Sequence, residues 1–112
     1  MASADDLDRA YLKMAHVWAQ LSRAHRKKVG CLIVRDSMII SDGFNGTPKG
    51  FDNQCEDMYP GRLPCLVTKA EVLHAESNAI TKLAKSTQSS NGATMYTTCS
   101  PCVECAKLII QA

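Results

Sequence analysis

Little in this sequence is long, strongly charged or aromatic. Its uninterrupted aliphatic runs are short, as in Leu32-Ile33-Val34 and Leu108-Ile109-Ile110, far below the ~20 apolar residues a membrane span needs. No membrane partner is expected. Aromatic residues make up 5% of the 112 residues, and 13 basic side chains face 11 acidic ones for a net charge of +2. That balance supplies neither the basic stripe nor the aromatic strip of a polynucleotide-binding surface, so no nucleic acid is expected as a partner. The N-terminus carries Asp5, Asp6 and Asp8 where a secretory signal carries a basic region and an apolar stretch, which makes the cytoplasm the expected compartment. Repeats and low-complexity segments are missing, and the length suits one domain spanning residues 1–112 with a core that needs no staples.

What the sequence does have is cysteine, at positions 31, 55, 65, 99, 102 and 105. A reducing compartment keeps thiols free unless a metal or a catalytic cycle uses them. Cys102 and Cys105 have metal-ligand spacing, whereas Cys31 lies in a strand-like run, so metal use is favoured over a disulfide framework.

Periodicity outlines the elements. Ser3 and Asp6 resemble a capping box, and Leu7, Tyr11, Met14, Trp18 and Leu21 recur at helical steps, predicting a first helix over residues 4–24 with Tyr11, Met14 and Trp18 packed in the core. Residues 29–35 and 38–42 read as a strand hairpin turning at Asp36-Ser37. Gly43-Phe44-Asn45-Gly46-Thr47-Pro48 tolerates positive φ and predicts a loop running to about residue 70, long enough to be functional, metal-tethered or mobile. A helix follows over 70–85, then a polar linker, a third strand over 93–99, and a last helix with Ser100 at its cap and Pro101 in its first turn.

Two of these elements carry chemistry. His74-Ala75-Glu76 and Pro101-Cys102-Val103-Glu104-Cys105 join an imidazole to two thiols three residues apart, a donor set that selects zinc over magnesium or calcium. Three protein ligands leave the fourth position of a catalytic site open to water. Positions two apart lie about 200° around a helix, so His74 and Glu76 can share a site only at a helix end. That requirement moves the start of the second helix toward His74. Two helix N-termini aimed at one point also favour thiolates there. H-x-E with P-C-x-x-C is the signature of zinc nucleobase deaminases, in which the glutamate is the general acid and base.

Beyond that signature, the sequence resembles the deoxycytidylate (dCMP) deaminase family. The resemblance is carried by Val29-Gly30-Cys31 with Leu32-Ile33-Val34, the Gly43-to-Pro48 segment, His74-Ala75-Glu76-Ser77-Asn78-Ala79-Ile80, and the run from Ser100 to Ala112. It implies an α/β fold of three α-β-α layers around a mixed sheet, with the C-terminal strands and helices of the family domain missing. It also implies hydrolysis of dCMP to dUMP, feeding thymidylate synthesis. His74, Cys102 and Cys105 would hold one catalytic zinc per chain, and Glu76 would carry protons. Substrate contacts would come from Asn45, Ala75, Asn78 and Ser100. Gly43, Phe44, Asn45 and Gly46 would form an allosteric site for dCTP and dTTP, with magnesium accompanying that nucleotide, in a homo-oligomer of six chains. Apart from the resemblance, the basic residues Arg23, Arg26, Lys27 and Lys28 offer a phosphate clamp, with Arg26 the first candidate, although a basic turn is more often simply solvated. Turn chemistry alone reads Asn45 equally well as a left-handed turn residue. Cys55 and Cys65, with His25, are candidates for a second, structural zinc, but free thiols are the preferred reading because a closed site needs four ligands. The rival functions are deamination of dCTP, cytidine or a tRNA adenosine, and an inactive zinc-binding interaction module.

Overall fold

In the computed structural model, residues 2–59 and 65–112 are described. Helix α1 (Ala4–Ala19) starts at the capping box: Ser3 Oγ accepts the Asp6 N–H at 3.1 Å, and the Ser3 N–H donates to Asp6 Oδ2 at 3.3 Å. It ends five residues earlier than the pattern suggests. Ser22 draws the chain away from the helix, since its hydroxyl donates to the Asn45 carbonyl at 2.8 Å and accepts the Ala24 N–H at 3.1 Å.

Strands β1 (Gly30–Arg35) and β2 (Met38–Phe44) form the expected hairpin. Asp36 and Ser37 both adopt positive φ, 52° and 59°, the backbone of a two-residue turn whose twist matches the strands. The Gly43-to-Pro48 segment behaves otherwise than expected, because Gly43 and Phe44 belong to β2 and no residue in it has a positive φ. The predicted long loop contains a second hairpin, β3 (Glu56–Tyr59) with β4 (Cys65–Thr68). Residues 60–64 between those strands lie outside the described residues. The hairpin escapes a periodicity reading because β4 is exposed along its whole length, leaving no alternation of buried and solvated positions.

Helix α2 (Ala75–Ala84) begins directly after His74, as the site chemistry requires, and β5 (Thr94–Thr97) follows the linker. Helix α3 (Val103–Gln111) is capped by Cys102 instead of Ser100, and Pro101 precedes the helix. A thiolate can accept from the free N–H groups of a first turn as a hydroxyl does, which removes the need for serine there.

The main sheet has strand order β2-β1-β5. Both of its pairings are antiparallel, where a mixed sheet was expected. The crossover from β2 through α2 to β5 passes over β1, so β2 and β5 run in the same direction but are separated by β1, and no two neighbouring strands among the described residues are parallel. Helices cover both faces, as the layered fold requires. Leu32 and Val34 meet Tyr11 and Ala15 of α1, whereas Cys31 and Ile33 meet Ala75, Ala79 and Leu83 of α2. The sheet seats α1 on its small residues: Ala15 and Ala19 are buried, while Met14 is 45% exposed, so Met14 is not the core residue its spacing suggests. Gly30 explains the difference, since the backbone of α1 passes so close that a Cβ there would lie 2.1 Å from the Ala15 carbonyl oxygen.

Candidate metal and nucleotide site

The N-termini of α2 and α3 meet beside the end of β5. His74 and Cys102 are both cap residues in extended conformation, so each side chain leaves its helix at the first turn. The His74 Nδ1 lies 3.4 Å from Cys102 Sγ and 3.3 Å from Cys105 Sγ. All three ligand atoms fall within 4.8 Å of one another. Zn–S bonds of about 2.3 Å and Zn–N bonds of about 2.05 Å at a tetrahedral angle place sulfur and nitrogen about 3.5 Å apart, so the spacing fits zinc. Burial, together with the neighbouring Glu76 and Cys102, pushes the Cys105 thiol up to about 12. A divalent cation would displace that proton, because a coordinating thiol is held deprotonated. Among the described residues Cys55, Cys65 and His25 do not converge as a second such group, and all six cysteines are free.

Glu76 is 3% exposed, and its Oε1 accepts the Thr97 hydroxyl at 2.9 Å. Thr97 and Glu56 were not foreseen from sequence. Threonine in a strand is ordinary, and a glutamate inside a polar segment carries no signal of what it holds.

The 43–48 segment is the frame on which His74 is mounted. Gly46 and Leu73 exchange backbone hydrogen bonds of 3.0 and 2.8 Å immediately before His74. Asn78 Nδ2 donates to the Phe44 carbonyl at 2.8 Å, and Gly43 lies where a Cβ would come within 2.4 Å of the Ala75 carbonyl oxygen. The Asn45 amide braces the basic segment, accepting the Val29 N–H at 2.9 Å and donating to the Lys27 carbonyl at 2.8 Å.

A cleft of about 380 Å³ opens on this centre, within the size range of small-molecule sites. Its walls include His74, Ala75, Glu76, Ser100, Asn45 and Arg26, but not Asn78, Gly43, Phe44 or Gly46. Glu56 also lines it and ties the β3–β4 hairpin to the basic segment by accepting the backbone N–H groups of His25 and Arg26, each at 3.0 Å. Arg26 Nη1 in turn donates to Thr68 Oγ1 at 3.2 Å.

Burial alone would raise the Glu56 carboxyl, but the N–H donors and charges of Arg26 and His25 outweigh it and hold its pKa below the usual range. The tie therefore stabilises the fold above about pH 4.3, the ordinary value, and is lost as pH falls through the lower folded value. The difference in urea midpoint between the native chain and Glu56→Gln should be widest near neutrality and close in acid. A difference that stays constant with pH would contradict this assignment.

The family model for the cytidine and deoxycytidylate deaminase zinc-binding region matches residues 5–112. The chain is 39% identical to the dCMP deaminase of the cyanophage S-TIM5, whose crystal structure is in complex with dCMP and dUMP. That match has a TM-score of 0.87 and covers 99% of this chain and 77% of that one. The deoxycytidylate deaminase of Mycobacterium phage D29 is 34% identical over 115 residues, covering 96% of this chain and 88% of the relative. ComE operon protein 2 of Bacillus subtilis is 37% identical over 105 residues, and there the match takes in 91% of this chain but 52% of the relative. The chain thus spans about half the length of that relative.

Proposed function

The chain belongs to the cytidine and deoxycytidylate deaminase zinc-binding family, and from that premise we propose that it hydrolyses dCMP to dUMP and ammonia. The observation that carries this reading is a buried carboxyl, Glu76, placed beside a His/Cys/Cys donor set and opening on a nucleotide-sized cleft. A purely structural zinc site would have no use for that carboxyl. The S-TIM5 enzyme with dCMP and dUMP supports the choice of substrate.

His74, Cys102 and Cys105 would hold one zinc ion. What zinc supplies when bound is the acidity that lets water act as a nucleophile near neutral pH. Glu76 takes a proton from the attacking water and delivers it to N3 of cytosine as oxygen bonds to C4. The second proton of that water passes through the same carboxyl to the amino group, and the C4–N bond breaks to release ammonia. The Ala75 N–H is the donor assigned to the base carbonyl, and the Ser100 carbonyl the acceptor for the amino group.

Asn45 and Asn78 act through the backbone they brace, because their amides already hold Val29, Lys27 and Phe44. Arg26 is the phosphate contact, since it lines the cleft and is fixed by Thr68. Arg26→Glu should raise KM for dCMP with little change in kcat; an unchanged KM would remove Arg26 from the phosphate site.

Regulation by dCTP and dTTP, with magnesium on the effector, and assembly into hexamers remain part of the reading. Gly46 is the approachable backbone position for an effector, because a Cβ there would have open space around it. Gly43, packed on α2, supports the segment from behind. A reducing compartment such as the cytoplasm suits six free thiols.

The substrate test is parallel incubation of the zinc-loaded chain with dCMP, dCTP, cytidine and a tRNA anticodon stem-loop, reading ammonia. Release from dCMP above the others is expected. Faster release from another compound would reassign the substrate, and release from none with zinc bound would favour a binding module.

A further inference from the structure

We propose that Thr97 is a positioning residue for Glu76, an inference that deepens the deaminase reading and rests on it. Thr97 closes β5 opposite Cys31 of β1. Its Oγ1 lies 2.9 Å from Glu76 Oε1 and 3.1 Å from the Cys99 carbonyl oxygen.

A threonine hydroxyl carries one proton and can also accept, so this pair of neighbours gives it two settings. It donates to the Glu76 carboxylate before that group takes up a proton. Once the carboxyl is protonated, Thr97 can accept from it and turn its own hydrogen to the Cys99 carbonyl. No proton is gained or lost by the hydroxyl in either setting, and the carboxyl is held in both.

The need for such a holder follows from burial. With 3% of its surface exposed, Glu76 has little water to orient it. The Cys105 thiol also faces the carboxyl, but that sulfur belongs to the metal donor set. Thr97 comes from a third element, the sheet, and so fixes the carboxyl relative to both helix N-termini. It touches no reacting atom, and its effect is exerted entirely through Glu76.

Thr97→Val keeps the shape and removes the hydroxyl. It should lower kcat for dCMP by about 10- to 100-fold, as expected when a reacting group loses its alignment, with KM and zinc content unchanged. Thr97→Ser restores the hydroxyl and should recover most of the rate. An unchanged kcat in Thr97→Val, or a Thr97→Ser chain as slow as Thr97→Val, would overturn the proposal.

A crystal structure of Thr97→Val supplies a readout that needs no turnover. A displaced or multiply placed Glu76 carboxyl is expected, and an unmoved one would also overturn the proposal. If the native chain deaminates nothing while the carboxyl does move in Thr97→Val, the substrate reading fails and the positioning contact stands.

Discussion

Glu76→Gln is expected to lower dCMP turnover by about 10²- to 10⁴-fold, the usual contribution of a positioned general acid and base. The substitution is nearly isosteric, and the amide oxygen can still accept the Thr97 hydroxyl that now reaches Oε1. What the amide lacks is the capacity to take a proton from water and return it to N3 and the leaving amine. Zinc content should stay at the native level, since the donor set consists of His74, Cys102 and Cys105. Loss of turnover with zinc retained separates proton transfer from metal binding. Turnover within a few-fold of native would mean that another group moves the protons.

The second large effect is on stability. At Gly30 a Cβ would lie 2.1 Å from the Ala15 carbonyl oxygen, 2.6 Å from the Ala19 nitrogen and 3.0 Å from the Ala19 Cα. These are backbone atoms of α1, so no side chain can rotate away to make room. Gly30→Ala must lift the helix from the sheet and loosen the packing of Leu32 and Val34 against Tyr11 and Ala15. Overpacking of this kind costs roughly 1–3 kcal/mol and occasionally more, and the backbone clash places Gly30 at the upper end.

At about 4–8 °C per kcal/mol for a small domain, Tm should fall by roughly 10–20 °C. Gly46→Ala is the matched control, because nothing lies within 4 Å of the added carbon. Its effect should stay within about 0.5 kcal/mol. A thermal melt in which the two variants behave alike would contradict the close approach of α1 to β1.

The candidate metal donors were legible in the sequence because chemistry constrains them locally. A histidine two residues before a glutamate can share its site only at a helix start, and two cysteines three apart converge in a first turn. His74, Cys102 and Cys105 can therefore be grouped before any fold is known, and the structure brings their ligand atoms together. The 43–48 segment was legible as important, but its backbone conformation was not. Its glycines and asparagine suggest a turn with positive φ, whereas Gly43 is required by the crossing of α2, and Asn45 by unpaired backbone groups near residue 28.

Such requirements come from tertiary contacts and leave no local pattern. The same reason hides Thr97, whose partner is 21 residues away, and Glu56, whose partners are 30 and 31 residues away. Helix α1 shows the converse case. Its spacing of large apolar residues is helical, but its buried contacts to the sheet include Ala15 and Ala19, which the pattern did not single out.

One zinc ion held by His74, Cys102 and Cys105 should govern the whole reaction, and a single titration tests that link. Metal-free chain would be supplied with increasing zinc in the presence of dCMP, and dUMP would be measured at each point. No dUMP is expected without zinc, followed by a linear rise in rate and a plateau at one equivalent per chain. Zinc bound at one equivalent without dUMP, or dUMP formed at a rate indifferent to zinc, would contradict that link.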